Sequence, residues 1–171
     1  MEYYFEKYRV NGKDYLLFDT KRNQYELTSE KIRRLCNHHF GVGANGIIMG
    51  YCDDNHLSYV KSFDVNGNLE EQNYNAICAF AQYVKDNYGV CDHEMTIHTI
   101  SETIVVKIST LDKEKEKQNL TQISMSIINS KIKVAVGSSH CEEVPATITF
   151  LSSQVKESGK IITAEQFIRS L

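Results

Sequence analysis

Residues 63–77 have the sequence FDVNGNLEEQNYNAI, in which a strand end, a turn and the start of a helix follow one another. Residues 57–63 alternate polar and apolar side chains, as in a strand with one buried face, and residues 65–68 (VNGN) are typical of a turn. From residue 75 to residue 88, apolar side chains recur at helical spacing. These positions are Ile77, Phe80, Ala81 and Val84. We therefore predict a central helix, and its first turn is where we look for chemistry.

The segments on either side predict an α+β protein. Residues 3–10 and 14–19 alternate around Asn11-Gly12, which predicts a β-hairpin, and Thr28 or Ser29 can cap a helix through residue 38. Further strands are predicted at residues 47–51, 95–98, 103–108, 122–128, 131–136 and 146–151, with a charged loop at 112–117 and a closing helix after a capping box of Thr163 and Gln166. Because most strands are joined by short antiparallel-type turns, the pattern favours α+β over a doubly wound fold.

The composition argues against several classes of protein. The chain has 171 residues, with 19 basic and 22 acidic side chains, so no strong field would attract nucleic acid or an anionic membrane. Its five cysteines are odd in number and never form a CxxC pair, which argues against a disulfide framework and against a thiolate zinc site. No apolar stretch is long enough to span a bilayer. We expect a cytoplasmic protein without a nucleic-acid or membrane partner.

Two apparent motifs are set aside. Cys36, His38 and His39 suggest a metal site, but adjacent residues at a helix end point in different directions and no second ligand cluster accompanies them. Residues 41–46 (GVGANG) formally match the dinucleotide fingerprint, but a helix precedes them and a strand follows, the reverse of the required order. We therefore predict no metal and no cofactor.

Four stretches match one enzyme family in order and spacing. Residues 39–46 (HFGVGANG) are similar to RHFGIGADG, and residues 63–77 lie without a gap on FNADGSEAEMCGNGI. Residues 136–140 (VGSSH) take the place of MGNPH, and residues 5–19 follow the opening FxKMHGLGNDFVVID. In these stretches the chain resembles diaminopimelate epimerase, a cofactor-independent enzyme that inverts an amino-acid α-carbon. The resemblance is close over residues 5–105 and loose beyond them.

The resemblance implies a fold of two similar lobes, the first being a mixed, largely antiparallel sheet around a central helix. We therefore expect an epimerase-like N-terminal lobe at residues 1–105. Residues 106–171 are expected to form a reduced second lobe with a closing strand and helix. An internal deletion would explain this reduction, because residues 146–151 look like the family's closing strand.

The resemblance also implies catalysis by two thiols, one that removes the α-proton and one that returns a proton on the opposite face. Asn73 occupies the position of the first thiol, and an amide has no usable basic form. No segment similar to the family's CGTGA turn, which carries the second thiol, follows Cys141. Cys78 lies about 140° around the helix from Asn73, and we expect it to pack as a small hydrophobe. Thiol-based epimerisation is therefore not expected.

The family binds the substrate carboxylate with backbone N–H groups of a Gly-Asn-Gly turn at the helix start. Tyr74, Asn75 and Ala76 match that turn, so the helix terminus persists while the glycines do not, and the Tyr74 ring would project into ligand space. The family's substrate-holding asparagines fall on Lys13, Asp64 and Ser138. The expected ligand-binding set is Lys13, Asp64, Asn73, Tyr74, Asn75, Ala76 and Ser138, although Lys13 and Asp64 could equally form an ordinary surface ion pair.

Three hypotheses stay open at this point. The leading one is a pseudoenzyme that binds a small amino-acid-like ligand or a protein partner. The alternative is an active isomerase or epimerase in which Asp64, His140 or Cys141 transfers the protons. A third hypothesis is a homo- or hetero-oligomer that covers an exposed sheet edge.

Overall fold

The computed structural model of the protein describes residues 4–23, 26–89, 94–111, 120–135, 141–153 and 162–163. The helices in these residues are α1 (Ser29–Cys36) and α2 (Tyr74–Tyr88). The strands are β1 (Tyr4–Val10), β2 (Lys13–Asp19), β3 (Gly46–Cys52), β4 (Leu57–Asp64), β5 (Leu69–Glu70), β6 (Glu94–His98), β7 (Thr103–Leu111), β8 (Leu120–Ala135), β9 (Cys141–Ser153) and β10 (Ile162–Thr163). No helix in the described part of the chain is long and apolar enough to cross a membrane.

The described strands form one mixed sheet in the order β10-β1-β2-β3-β4-β6-β7-β8-β9, with β5 paired to β4 outside this path. The pairs β2 with β3 and β4 with β6 are parallel, whereas the other pairs are antiparallel. Parallel neighbours need a crossover connection, and α1 and α2 lie in those two connections. The expected α+β fold with a mixed, largely antiparallel sheet is confirmed.

Helix α2 packs against one face of this sheet and forms its main core. Every residue of α2 from 76 to 84 is buried, and the alanines and Cys78 among them let the helix approach the strands closely. The strand residues in this core come from β1 to β4 and from β6 to β8, and they include Leu17, Ile48, Ile97 and Met125. The helix ends at Gly89, whose left-handed conformation closes its last turn. The sheet therefore holds α2 firmly along its length.

Helix α1 packs on the opposite face. Its Ile32, Leu35 and Cys36 share a second core with β1, β2 and β3. The Thr28 hydroxyl caps the helix by accepting a hydrogen bond from the backbone of Lys31. The helix ends two residues before the predicted end at residue 38, because the returning backbone N–H groups of residues 42–44 bond to the last carbonyl groups of α1.

The structure also differs from the predictions in the strands. The short strand β5 was not predicted. Residues 122–128 and 131–136 were predicted as two strands, whereas residues 122–128 and 131–135 lie in the single strand β8 and residue 136 lies outside the described residues. The pairing of β8 with β9 shifts register between Ser126 and Lys131, which explains why the alternation breaks there in the sequence. The predicted loop at 112–117 and the helix after Thr163 lie outside the described residues, and Thr163 itself ends β10.

Candidate functional site

The site implied by the family motif lies at the first turn of α2. Asn73 immediately precedes the helix, and its Oδ1 accepts a hydrogen bond of 3.0 Å from the backbone N–H of Ala76. The Tyr15 hydroxyl approaches the same oxygen at 3.5 Å. On the other side of the amide, Nδ2 donates to Glu70 at 2.6 Å. The Asn73 side chain, at the expected thiol position, therefore caps the helix with its oxygen and binds Glu70 with its nitrogen.

Asparagine is among the preferred residues for this role, because its short side chain reaches the free N–H groups of the first helical turn. Cysteine is a much weaker hydrogen-bond acceptor than an amide carbonyl. The residue that departs from the family's catalytic pattern is thus one that stabilises the local structure. The observed arrangement explains why Asn fits here without requiring any chemistry from it.

The ring of Tyr74 is held by the turn between β6 and β7. Its hydroxyl lies 3.2 Å from both carboxylate oxygens of Glu102, which also accepts a hydrogen bond of 3.0 Å from Gln72. The Ser101 hydroxyl donates to the backbone carbonyl of Glu71 at 2.8 Å. We call these contacts between residues 71–74 and 101–102 the clasp. The clasp joins the start of α2 to a neighbouring turn, and it fixes Tyr74 beside the helix terminus.

The first turn of α2 has both bound and unbound backbone N–H groups. The N–H groups of Ala76 and Ile77 are bound by the side chain and the carbonyl group of Asn73, respectively. Within the described residues, the N–H groups of Tyr74 and Asn75 make no hydrogen bond. The side-chain oxygen of Asn75 accepts from Asn11 at 3.0 Å, which connects the β1–β2 hairpin to the helix. The N–H groups of Tyr74 and Asn75 lie at the positive end of the helix.

Asp64 lies at the same end of the sheet as Lys13, because Tyr15 pairs with Gly46 and Gly46 pairs with Asp64. Its carboxylate accepts hydrogen bonds from the backbone N–H groups of Asn66 and Asn68. The bond from the Asn68 backbone is the main cause that lowers the pKa of Asp64, and the Asn68 side chain contributes to the same shift. Asp64 and Lys13, both within the described part of the chain, form no ion pair. The Asp64 carboxylate thus stabilises the turn that follows it by accepting hydrogen bonds from the backbone of that turn.

The described thiols are not poised for proton transfer. Cys36, Cys52 and Cys78 are buried. Burial raises the pKa of Cys36 to about 11 and that of Cys78 to about 12, and it also raises the pKa of Cys52. Cys78 packs in the α2 core, as expected. A thiol with such a pKa has almost no thiolate at neutral pH and is a poor base.

The second motif, at residues 39–46, forms the loop between α1 and β3. The Asn37 side chain accepts from the backbone N–H groups of His39 and Phe40. Gly43 has a φ of +79°, and a Cβ there would lie 2.7 Å from Nδ1 of His38. His38 is therefore the histidine that lies against this glycine. The motif fixes a tight return from α1 to β3.

The remaining expected site residues belong to the second half of the chain. Ser138 and His140 lie outside the described residues, and for Cys141 only the backbone, at the start of β9, is described. In the described part, no group of three or more His, Cys, Asp or Glu side chains is arranged to hold a metal. Sequence reasoning missed Glu70 and Glu102. Glu70 is three residues before Asn73 and could have been found as a local partner, whereas Glu102 is brought close only by the sheet.

Comparisons of sequence and structure identify known proteins that this chain resembles. No protein-family model matches the chain. Diaminopimelate epimerase from Synechocystis is 30% identical over 106 residues, which are 61% of this chain and 38% of that protein. Diaminopimelate epimerase from Prochlorococcus marinus is 28% identical over 159 residues, 88% of this chain and 54% of that protein. The chain therefore spans only about a third to a half of the length of these curated relatives.

A solved structure described as a predicted epimerase from Pseudomonas aeruginosa matches with a TM-score of 0.51 at 10% identity, covering 99% of this chain and 67% of that one. That likeness defines the class: the chain has an epimerase-like α+β fold. The curated sequence relatives narrow the class further. They confirm the resemblance to the diaminopimelate epimerases.

Proposed function

We propose that this diaminopimelate epimerase-like chain lacks cysteine-dependent epimerase activity and binds a small amino-acid-like ligand or a protein partner. The observation that carries the proposal is the position of Asn73. Its amide caps α2 and is bound to Glu70, and an amide cannot accept an α-proton near neutral pH. The raised pKa values of the described thiols support the same conclusion.

An amino acid suits the charges at the α2 terminus. The two free N–H groups of Tyr74 and Asn75 would bind its carboxylate, helped by the positive end of the helix. The Glu70 carboxylate, three residues before the helix cap, would accept its ammonium group. A carboxylate bound to the cap residue of a positive helix end favours a zwitterion over a simple anion, since Glu70 would repel an anion that lacks the ammonium group. The contributions of Lys13, Asp64, Ala76 and Ser138 to this site stay predictions.

The alternative is an isomerase that uses Asp64, His140 or Cys141. Asp64 is the only one of the three whose side chain is described, and its lowered pKa makes it a weaker base than an ordinary carboxylate. A catalytic carboxylate is expected to have a pKa that is raised towards the working pH. The pseudoenzyme hypothesis therefore has more support.

Deuterium exchange tests the catalytic part of the proposal. The pure protein is incubated with diaminopimelate, and with a panel of amino acids, in heavy water, and the α-proton is followed by proton NMR. We expect no exchange above the protein-free rate, while an active diaminopimelate epimerase run in parallel exchanges rapidly. Incorporation over many turnovers would overturn the proposal. If Asp64→Asn then abolished it, the isomerase alternative would be favoured.

Binding is tested by the amide NMR signals of Tyr74 and Asn75 during titration. We expect diaminopimelate to shift both signals, and pimelate, which lacks the ammonium groups, to bind more weakly. Glu70→Gln should remove this difference, whereas Glu71→Gln at the neighbouring position should preserve it. Unchanged signals at saturating ligand would reject this site as the ligand site. Equal affinity for diaminopimelate and pimelate in the wild type would reject the role of Glu70.

A protein partner would use the sheet edge. Strand β9 pairs with β8 on one side, and no other strand of the described chain pairs with it. Open edges tend to be covered by another chain. We propose that a second copy or another subunit covers β9, and sedimentation velocity showing a strict monomer would count against self-association. The cytoplasmic location and the lobe boundary at residue 105 also stay predictions.

A further inference from the structure

The chain contains three Asn-Gly pairs, and their surroundings in the fold differ. The pairs are Asn11-Gly12, Asn45-Gly46 and Asn66-Gly67. An asparagine followed by glycine is especially prone to deamidation, the conversion of its side-chain amide to a carboxylate, because glycine has no Cβ to obstruct attack by its backbone nitrogen. The attack also requires an unbound N–H group and room for the side chain to turn. The folded structure therefore decides which pair can react.

Two of the pairs are held in place by the fold. Gly46 is buried, and it pairs with β2 on one side and with β4 on the other. The side-chain oxygen of Asn45 accepts a hydrogen bond of 2.8 Å from the backbone N–H of Asp14. Gly67 is also buried, and its N–H donates to the carbonyl group of Asp64 at 3.0 Å. Neither glycine nitrogen can attack the preceding side chain unless these contacts open.

The pair in the turn between β1 and β2 is open. Asn11 and Gly12 are both exposed, and a Cβ added to Gly12 would meet no atom within 4 Å. Within the described residues, the N–H group of Gly12 makes no hydrogen bond. In the same part of the chain, one exposed hydrogen bond of 3.0 Å, from Nδ2 to Oδ1 of Asn75, holds the Asn11 side chain. This pair therefore meets both requirements for the attack.

We propose that Asn11 deamidates spontaneously in the folded protein, and that the carboxylate formed lies beside the first turn of α2. The Gly12 nitrogen loses its proton and bonds to Cγ of Asn11, while the side-chain nitrogen takes up a proton and leaves as ammonia. This closes a succinimide ring, which water then opens. Cleavage of the new bond to Cγ yields aspartate, whereas cleavage of the bond to the backbone carbonyl carbon yields isoaspartate. Water is the one other reactant that the reaction consumes.

The two products change the contact with α2 in different ways. In the aspartate form an acceptor replaces the donor of Asn11, so the Asn75 amide must turn over and donate with its Nδ2. A carboxylate beside a helix N-terminus is favourable, which helps to keep this form folded. In the isoaspartate form an extra backbone carbon enters a two-residue turn whose φ values are +50° and +75°. Since the length of such a turn sets the register of its strands, this form should lose the adjacent pairing of Val10 with Lys13.

The new charge has a consequence for ligand binding, which rests on the function proposed above. A carboxylate at residue 11 would repel the carboxylate of an amino acid held by the N–H groups of Tyr74 and Asn75. Because residue 11 is exposed, the repulsion is screened by solvent. We expect the affinity for diaminopimelate to fall by about two- to fivefold. Ligand binding would thus weaken as the protein ages.

Peptide mass spectrometry tests the reaction, and the other two pairs are internal controls. The full chain is incubated in mildly alkaline water enriched in heavy oxygen, which labels the carboxylate when water opens the ring. We expect label at residue 11 to form at least about tenfold faster than at Asn45 or Asn66, because opening either of those sites breaks several hydrogen bonds. In urea the three sites should react at similar rates. Gly12→Asn, which tolerates a positive φ but adds a side chain, should slow the reaction at residue 11.

Two results would overturn the predicted reaction. One is labelling of Asn45 or Asn66 in the folded chain at the rate of Asn11 or faster. The other is a folded chain that stays unlabelled at residue 11 under conditions where the chain in urea reacts.

The Asn11→Asp variant, which has the aspartate product from the start, tests the position of the new charge. The amide NMR signals of Asn75 should follow the titration of the new carboxylate. Asn55→Asp, the same change in the exposed turn before β4, should leave them unchanged. If Asn11→Asp also left them unchanged, the carboxylate would not lie beside α2.

Titration of the Asn11→Asp protein with diaminopimelate then measures the effect on binding. Affinity equal to that of the wild type would reject this effect. Absence of binding to the wild type would instead reject the α2 ligand site, while the labelling result at residue 11 would stand.

Discussion

Replacement of Asn73 by alanine should destabilise the protein by about 2 kcal/mol. Loss of the cap on Ala76 costs about 1 kcal/mol. Loss of the 2.6 Å bond to the Glu70 carboxylate adds about 1 kcal/mol, less than the roughly 1.5–3 kcal/mol typical of bonds to charged groups, because the site is only partly buried. The 3.5 Å contact with Tyr15 is at the distance limit and adds little. For a chain of this size, the sum lowers the Tm by about 4–8 °C.

Urea denaturation, followed by circular dichroism, measures this change, and two further variants separate its parts. Asn73→Ser keeps a capping oxygen but loses the contact with Glu70, so it should cost about 1 kcal/mol. Asn73→Cys, which restores the residue of the family motif, should cost as much as alanine, because a thiol is a weak acceptor. The reasoning fails if alanine changes the stability by less than about 0.5 kcal/mol, or if serine and alanine are equally destabilising.

Three other measurements test the described geometry. The thiols of Cys36 and Cys78, with pKa values of about 11 and about 12, should resist iodoacetamide at neutral pH in the folded protein, and peptide mass spectrometry showing rapid labelling would contradict their burial. The hydrogen bond from Arg9 lowers the pKa of Asp14, so Asp14→Asn should cost about 1 kcal/mol at neutral pH. That difference should disappear as the pH falls through the ordinary carboxyl value of 3.8 towards the lower folded value, and urea curves that stay equally separated in acid would refute the assignment. Gly67→Ala should destabilise by about 1 kcal/mol or more, because φ is +80° and the new Cβ would meet the backbone of the α1 N-terminus; an unchanged Tm would show that the turn can relax.

Local signals in the sequence predicted much of the fold. The hairpin around Asn11-Gly12, the Thr28 cap and the apolar spacing of α2 each depend on residues a few positions apart, and all three are present. The turn after Asp64 also depends on neighbouring residues, since in residues 64–68 (DVNGN) the Asp64 side chain accepts hydrogen bonds from the backbone of Asn66 and Asn68. Such features are fixed before any distant part of the chain is considered.

The site was less predictable because its contacts join distant residues. The clasp brings Tyr74 to Glu102, 28 positions away, and no periodicity in the sequence indicates that pair. The contacts of the Tyr59 ring with the rings of Tyr51 and His98 require the pairing of β3, β4 and β6, which the strand pattern alone does not give. The sequence also predicted two strands where the structure has the single strand β8. The register shift between Ser126 and Lys131 interrupts the alternation in the way that a loop would.

The path of β7 has a consequence for how the protein unfolds. This strand runs through residue 105, where the two lobes were expected to divide, and its Ile104, Val106 and Ile108 share one interior with α2 and with Met125 of β8. Because the described residues of α2, β7 and β8 share this interior, we expect these three elements to unfold together. Hydrogen exchange should therefore find equal protection for the slowest amides of α2 and β8, and cleavage of the chain within β7 should unfold both sides of the cut.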